Sequence, residues 1–315
     1  MEKRKRSLAI DILNGSMWDK ILRYALPVAA TGILGQLFNA SDIAIVGNFA
    51  QGDTVAAVAA VGANGPVIGL LLNIFIGIAL GANVVIANAI GRGDSNTVSR
   101  AVHTSIVAAV LGGIIVGLLG QLLAEPVLSM LQVPEDVFPL ALKYMRIYLL
   151  GLPVIFLYNF EAAIFRSAGD TKTPLVALAL SGVLNVILNL FFVVVLNKTV
   201  DGVAIATVLA NVVSSVVLLR RLLRSELFIH VEFKNLRIDW KILWRILKIG
   251  VPAGIQGAVF SLSNIVVQSA INSLGKVTMA ASSAAFNVEV MAYYILNSFG
   301  QALSLIHISE PTRQE

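Results

Sequence analysis

Three carboxylates interrupt apolar sequence in this chain: Asp42, Glu161 and Glu289. An ionisable side chain held in hydrocarbon costs about 2.5–3.5 kcal/mol on insertion scales, so each marks a place for ion pairing, proton exchange or cation binding. Asp42 follows Asn39 by three residues and Gln36 by six, which puts the three polar groups on roughly one helical face. Two readings of Asp42 stand: a group turned into a helix bundle, or a carboxylate reaching the headgroups five residues before Gly47. Glu161 precedes Arg166 by five residues and reads as an interfacial charge. Glu289, two residues after Asn287, is a candidate for lining a central cavity. Asn185 and Asn189 lie one turn apart and offer two amide oxygens on one face, suited to a small cation or to a carboxyl group. The same pair equally serves as interhelical glue, worth about 0.6–2 kcal/mol per contact. Thr207 adds a hydroxyl on the next apolar run.

These residues must be positioned by membrane helices. The chain of 315 residues is 57% hydrophobic and 13% charged, with a mean hydropathy of +0.84, too little polar surface to enclose a soluble core of this size. The expected fold class is an all-α polytopic helical bundle. Runs long enough to cross about 30 Å of hydrocarbon fall at 19–47, 55–90, 98–124, 138–165, 174–196, 201–223, 241–272 and 278–304. The turns between them are short, and in Gly169-Asp170-Thr171-Lys172-Thr173-Pro174 the expected N-cap is Thr173, with Pro174 in the first helical position. Glycines 32, 35, 62, 65 and 69 are expected to permit close helix packing and bending. The absence of cysteine excludes disulfides, thiolate metal sites and cysteine catalysis. The first apolar run is too long, and lacks the small-residue site, for a cleaved signal peptide.

Eight spans put the amino terminus and segments 91–100, 166–172 and 220–248 on one side, with 18 of the 23 lysines and arginines. The other side holds Lys143, Arg146, Lys198 and Lys276, and Arg313 lies in the tail. The positive-inside rule makes the basic side, with the amino terminus, cytoplasmic in a cell membrane. The net charge of +5 is therefore a topology signal, and contact with anionic headgroups replaces any expectation of nucleic-acid binding. His103 and His230 stand isolated, and neither they nor the carboxylates form the paired constellation that a membrane enzyme needs.

One stretch is nearly written twice. Residues 21–32 return as 246–257, an offset of 225 that also carries Pro27 onto Pro252 and Asn39 onto Asn264. Such internal duplication is usual in alternating-access transporters, with the substrate path between the halves. Two repeats of that size need roughly 450 residues, so the chain is expected to be a fragment. The expected organisation is a cytoplasmic amino-terminal segment (1–18), a complete six-helix amino lobe (19–223), a cytoplasmic linker (224–240) and the first two helices of a second lobe (241–304). Residues 305–315 resemble sequencing-adapter read-through and are expected to be a non-native tail, His307 included.

Several motifs together resemble the prokaryotic multidrug and toxic compound extrusion (MATE) family. They are Leu13-Asn14-Gly15-Ser16, Gln36-Leu37-Phe38-Asn39-Ala40-Ser41-Asp42 with Val46-Gly47, Phe165-Arg166-Ser167-Ala168-Gly169-Asp170 with Thr173-Pro174, and Gly254-Ile255-Gln256-Gly257 with Phe260-Ser261-Leu262-Ser263-Asn264. The resemblance implies a twelve-helix, two-lobe antiporter that expels cationic or amphipathic compounds against inward H⁺ or Na⁺, acting as a monomer and without a cofactor. It places the cation site on Asp42, Asn185, Asn189 and Thr207, where Na⁺ is the one metal expected. Candidates for the substrate cavity are Gln36, Asn39, Gln256, Asn264, Asn287 and Glu289. At Asn189 the family site carries aspartate. The single remaining carboxylate weakens the case for bare Na⁺, which prefers charged oxygen ligands, and favours H⁺. A lipid-linked precursor flippase of the same superfamily would need a cavity rich in arginine and lysine, which the spans lack. A non-transporting structural membrane module is the other alternative.

Overall fold

The computed structural model describes residues 17–225 and 229–309. Among them run eight long helices: α1 (Met17–Phe49), α2 (Thr54–Gly91), α3 (Ser95–Met130), α4 (Phe138–Ser167), α5 (Lys172–Leu190), α6 (Val200–Leu223), α7 (Trp240–Asn272) and α8 (Lys276–Ser309). A π-helical turn, Phe191–Val195, prolongs α5, a 3₁₀ turn, Phe233–Asn235, lies in the linker, and there is no strand among the described residues. The helices from Leu26 to Asn272 supply seven segments long and apolar enough to cross a membrane. Each apolar run read from the sequence is one helix. The largest difference is α3, which continues past residue 124 through Pro126 to Met130. Residues 305–309 continue α8, five residues past its expected end at 304, while 1–16 and 310–315, which include most of the expected non-native tail, lie outside the described residues.

Aspartates cap four of the eight long helices. Asp53 accepts from the Ala56 amide, Asp94 from Thr97, and Asp239 from Lys241 and Ile242. The expected cap at Thr173 is corrected: α5 begins at Lys172, and Asp170 accepts from the amides of Lys172 (3.1 Å) and Thr173 (2.9 Å) and from the Thr173 hydroxyl. A carboxylate two residues before the helix reaches two free N–H groups at once, whereas a hydroxyl reaches one.

Two apolar cores stack along the bundle. One gathers Val46, Leu128, Phe156, Val193 and Val203, the other Ile86, Val102, Ile164, Leu218 and Ile246. Around them α4 packs against α2, α3 and α6, and α1 against α5. The second-half helices lie on the first half: α7 runs along α2, and α8 against α1 and α2, rather than mainly against each other. Because the repeat relates α1 to α7, the pairs α2–α7 and α1–α8 are the same contact seen from two sides.

The α2–α7 contact is backbone to backbone. A β-carbon on Gly77 would overlap the Gly254 nitrogen, and one on Gly81 would overlap the Ile246 carbonyl oxygen. Gly77 and Gly81 thus face Gly250 and Gly254, two small-xxx-small stripes in register. Of the glycines expected to do this, Gly62 meets Ser283, while Gly35 and Gly65 have nothing within 4 Å of an added β-carbon. Asn73 donates to Ser261 (2.8 Å) farther along the same seam.

The linker is strapped to α3. His103 accepts the Glu232 amide at Nε2 (3.0 Å), which leaves Nδ1 protonated to donate to the Ser99 carbonyl (2.7 Å). His103 is thereby a buried structural tie between α3 and the linker. Arg100 pairs with Asp239 through Nε (2.7 Å) and a second guanidinium nitrogen, and Thr104 accepts the Asp239 amide.

Candidate functional site

Asp42 sits on α1 with only 3% of its surface exposed, turned into the bundle towards α5 and α6. Of the two readings of this carboxylate, the buried one applies. Its approach to α5 depends on Gly182, whose bare α-carbon leaves the space filled by the ring of Phe38, one turn before Asp42. The four residues singled out on three helices form a closed ring. Asn189 Nδ2 donates to Asp42 Oδ1 (2.5 Å) and to Asn185 Oδ1 (3.2 Å). Asn185 Nδ2 donates to Thr207 Oγ1 (3.4 Å), and Thr207 Oγ1 donates to Asp42 Oδ2 (3.0 Å). Asn189 is wholly buried and its Oδ1 has no partner.

Local structure explains the convergence. Asn185 and Asn189 project from successive turns of α5, immediately before the π turn at Phe191–Val195, where the helix widens. Such π turns are common beside functional sites. From α4, Tyr144 and Tyr148 stack at 6.2 Å between centroids and lie within electrostatic reach of the Asp42 carboxylate. Sequence reasoning missed these tyrosines because aromatic residues in an apolar run look like ordinary core.

In chemical terms the ring presents one carboxylate with a donor on each oxygen and one spare amide oxygen beside it. Among the described residues no lysine, arginine or histidine pairs with Asp42. A buried anion without a counter-ion is a natural acceptor for a small cation or a proton.

The other sequence candidates differ in burial. Gln36 is buried on α1, Asn39 is exposed, Gln256 is exposed on α7 and Asn264 half-buried. Glu289 is exposed on α8, and the side chain of Asn287 lies outside the described ones. Glu161 corrects its sequence reading. Instead of an interfacial charge it is fully buried, with Oε2 accepting from Ser215 of α6 (2.9 Å) and Oε1 without a partner. Sequence distance to Arg166 suggested the interface, but the side chain faces α6.

Known proteins share this arrangement of helices. The MatE family model matches residues 27–191, more than half of the chain. Among curated proteins, the chain is 29% identical over 299 residues to the probable multidrug resistance protein YoeA of Bacillus subtilis, covering 92% of this chain and 64% of that protein. It is 27% identical to the probable multidrug resistance protein YpnP of the same organism, covering 85% of this chain and 59% of that one. The chain thus spans about three fifths of the length of the curated relatives it matches. Its fold is similar to the outward-facing conformation of a multidrug resistance MATE family transporter of the MOP superfamily, with a TM-score of 0.80 at 22% identity, covering 95% of this chain and 66% of that one. Eight long helices, a repeat that relates α1 to α7 and a family match across the first five helices lead to one conclusion: this is a multi-pass membrane protein of the MATE family.

Proposed function

We propose that the intact protein is a secondary active antiporter, a transporter rather than an enzyme, that exports cationic or amphipathic compounds in exchange for H⁺. One observation carries the reading: a ring with one carboxylate, Asp42, closed by Asn185, Asn189 and Thr207 and with no basic residue among the described ones paired to it. A lone carboxylate exchanges one proton per cycle. Asn189 suits both states, since half a turn of its amide replaces the donor Nδ2 with the unpartnered Oδ1 and lets the same side chain accept from protonated Asp42. The multidrug resistance proteins among its relatives support the export of small molecules.

The protein lies in the cell membrane with its amino terminus in the cytoplasm. In support, the four cations of the far end are all ion-paired: Lys143 and Lys198 with Asp201, Arg146 with Glu125, and Lys276 with Asp53 (2.6 Å) and Asp136 (3.1 Å). The unbalanced positive charge therefore sits at the linker end. A single copy of the chain holds the whole ring, so transport as a monomer is the simplest assembly.

Everted vesicles test the coupling. An imposed acid-inside pH gradient is expected to drive uptake of a fluorescent cationic dye, and a Na⁺ gradient at zero pH difference is not. Uptake driven by Na⁺ alone would replace H⁺ with Na⁺ at this site.

A further inference from the structure

Glu161 is a buried carboxylate that the proposed cycle leaves unused, and its surroundings connect it to the ring. On α5, Ser181, Asn185 and Asn189 repeat every four residues, which places them on one face. On α6 a second stripe runs through Thr207, Asn211, Ser214 and Ser215, at intervals of four, three and one. The two stripes join at two levels, Asn185 with Thr207 and Ser181 with Ser214 through their hydroxyls. Asn211 fills the level between, donating to the Thr207 carbonyl (2.9 Å). Below it Ser215 hands the stripe to Glu161 of α4. Asp42 lies towards the far end of the bundle and Glu161 towards the linker end. Together these polar groups form one lane from the first carboxylate to the second.

We propose that Glu161 is a second proton-binding site, the linker-end station of this lane, which takes up the proton released from Asp42 before it reaches the cytoplasm. The inference rests on the reading of Asp42 as the coupling group. A buried carboxyl with one oxygen held and the other bare has room for one proton, on Oε1, while Ser215 keeps its bond to Oε2. The transfer balances simply: Asp42 returns to its carboxylate as Glu161 becomes the neutral acid, and Glu161 then gives the same proton to water at the linker end.

The neighbouring helices supply no competing counter-ion. Residues 54–91 of α2 contain no charged residue, and its Asn83 is engaged with the Ala163 carbonyl. On α3, Arg100 is paired with Asp239, and His103 is held between Ser99 and Glu232. Lys172 opens α5, while Arg220 and Arg221 close α6, with Asp201 at its far start. On α4 itself Tyr158, one turn before Glu161, has a buried hydroxyl without a partner, and Arg166 lies five residues on. None of these hydrogen-bonds or ion-pairs with Glu161 among the described contacts.

Infrared difference spectroscopy of the intact transporter in lipid, titrated over pH, reads carboxyl protonation directly. Two protonated-carboxyl bands are expected, one lost in Asp42→Asn and the other in Glu161→Gln. Ser215→Ala should shift the second band while leaving the first in place, because the hydroxyl on Oε2 is gone. Proton-driven dye uptake should fall at least 10-fold in Glu161→Gln with dye affinity unchanged, and Glu161→Asp should restore part of the rate. A titration in which no band responds to either Glu161→Gln or Ser215→Ala overturns the proposal, as does a Glu161→Gln variant with wild-type rate and pH profile. Loss of the Asp42 reading shows separately, as wild-type coupling in Asp42→Asn. Should Glu161→Gln fail to fold, the Ser215→Ala shift decides alone: its presence supports the second site and its absence removes it.

Discussion

At the scale of single residues, Asp42 owes its surroundings to side chains on two other helices, and each can be altered without moving the backbone. Thr207→Val preserves the volume but removes the donor on Oδ2. Hydrogen bonds to charged groups contribute about 1.5–3 kcal/mol, so the variant should unfold at a lower temperature in detergent and couple poorly; an unchanged melting temperature would mean that the bond adds nothing to stability. Asn189→Asp adds a second carboxylate beside the first. For a bound cation the added attraction is at least about 1 kcal/mol at 4 Å, even in a water-like dielectric, so Na⁺ should begin to drive or accelerate dye uptake. A Na⁺-independent variant would show that the ring does not hold the coupling ion. The grouping of Asp42, Asn185, Asn189 and Thr207 was legible through family motifs, since nothing in local spacing connects a residue of α1 with residues of α5 and α6. Glu161 was misread for the same reason: an i to i+5 distance to Arg166 says nothing about which helix lies opposite.

Among the elements, the seam between α2 and α7 explains why the second-half helices hold their place. Four glycines let the two backbones touch. Gly254→Ala sets a β-carbon 2.7 Å from the Ile74 carbonyl oxygen, and overpacking of this kind costs about 1–3 kcal/mol. Gly65→Ala has open space and should be neutral or slightly stabilising, so equal melting temperatures for the two variants would count against the seam. The helices themselves were readable from hydropathy, because an uninterrupted apolar run of this length has few other solutions. Which glycines touch was not, because a small residue marks a possible approach and only the facing helix decides whether it happens. The helix starts carry a pH signature. The Thr97 hydroxyl and amide hold the Asp94 carboxyl below the usual range, and Arg100 followed by the Ile242 amide does the same for Asp239. Groups with depressed folded values contribute stability that is complete above the ordinary carboxylate pKa and is lost as pH falls through the folded one. Thermal stability should therefore drop only below about pH 4, and less steeply in Asp239→Asn, which has no such carboxylate to protonate.

The whole molecule is organised by its duplication. The contacts α2–α7 and α1–α8 are equivalent across the repeat, so the amino lobe meets the start of the second half through a pseudo-symmetric interface, where alternating access has its usual path. Lys276, at the α7–α8 turn, ties that second half to two turns of the first through Asp53 and Asp136. Because the chain has no cysteine, its sidedness can be read by single substitutions. In intact cells an impermeant thiol reagent should label Glu135→Cys, exposed before α4, and should reach Asn96→Cys, exposed at the linker end, only after permeabilisation; the reverse pattern would invert the topology. The most direct measurement is proton movement in everted vesicles carrying Asp42→Asn in the intact transporter. Adding a cationic dye to acid-loaded wild-type vesicles should raise the internal pH as dye enters and protons leave. The substituted amide keeps the shape of the ring but cannot carry a proton, so the variant should bind dye and give no such pH rise. Dye-induced proton release at the wild-type rate from Asp42→Asn would contradict the account.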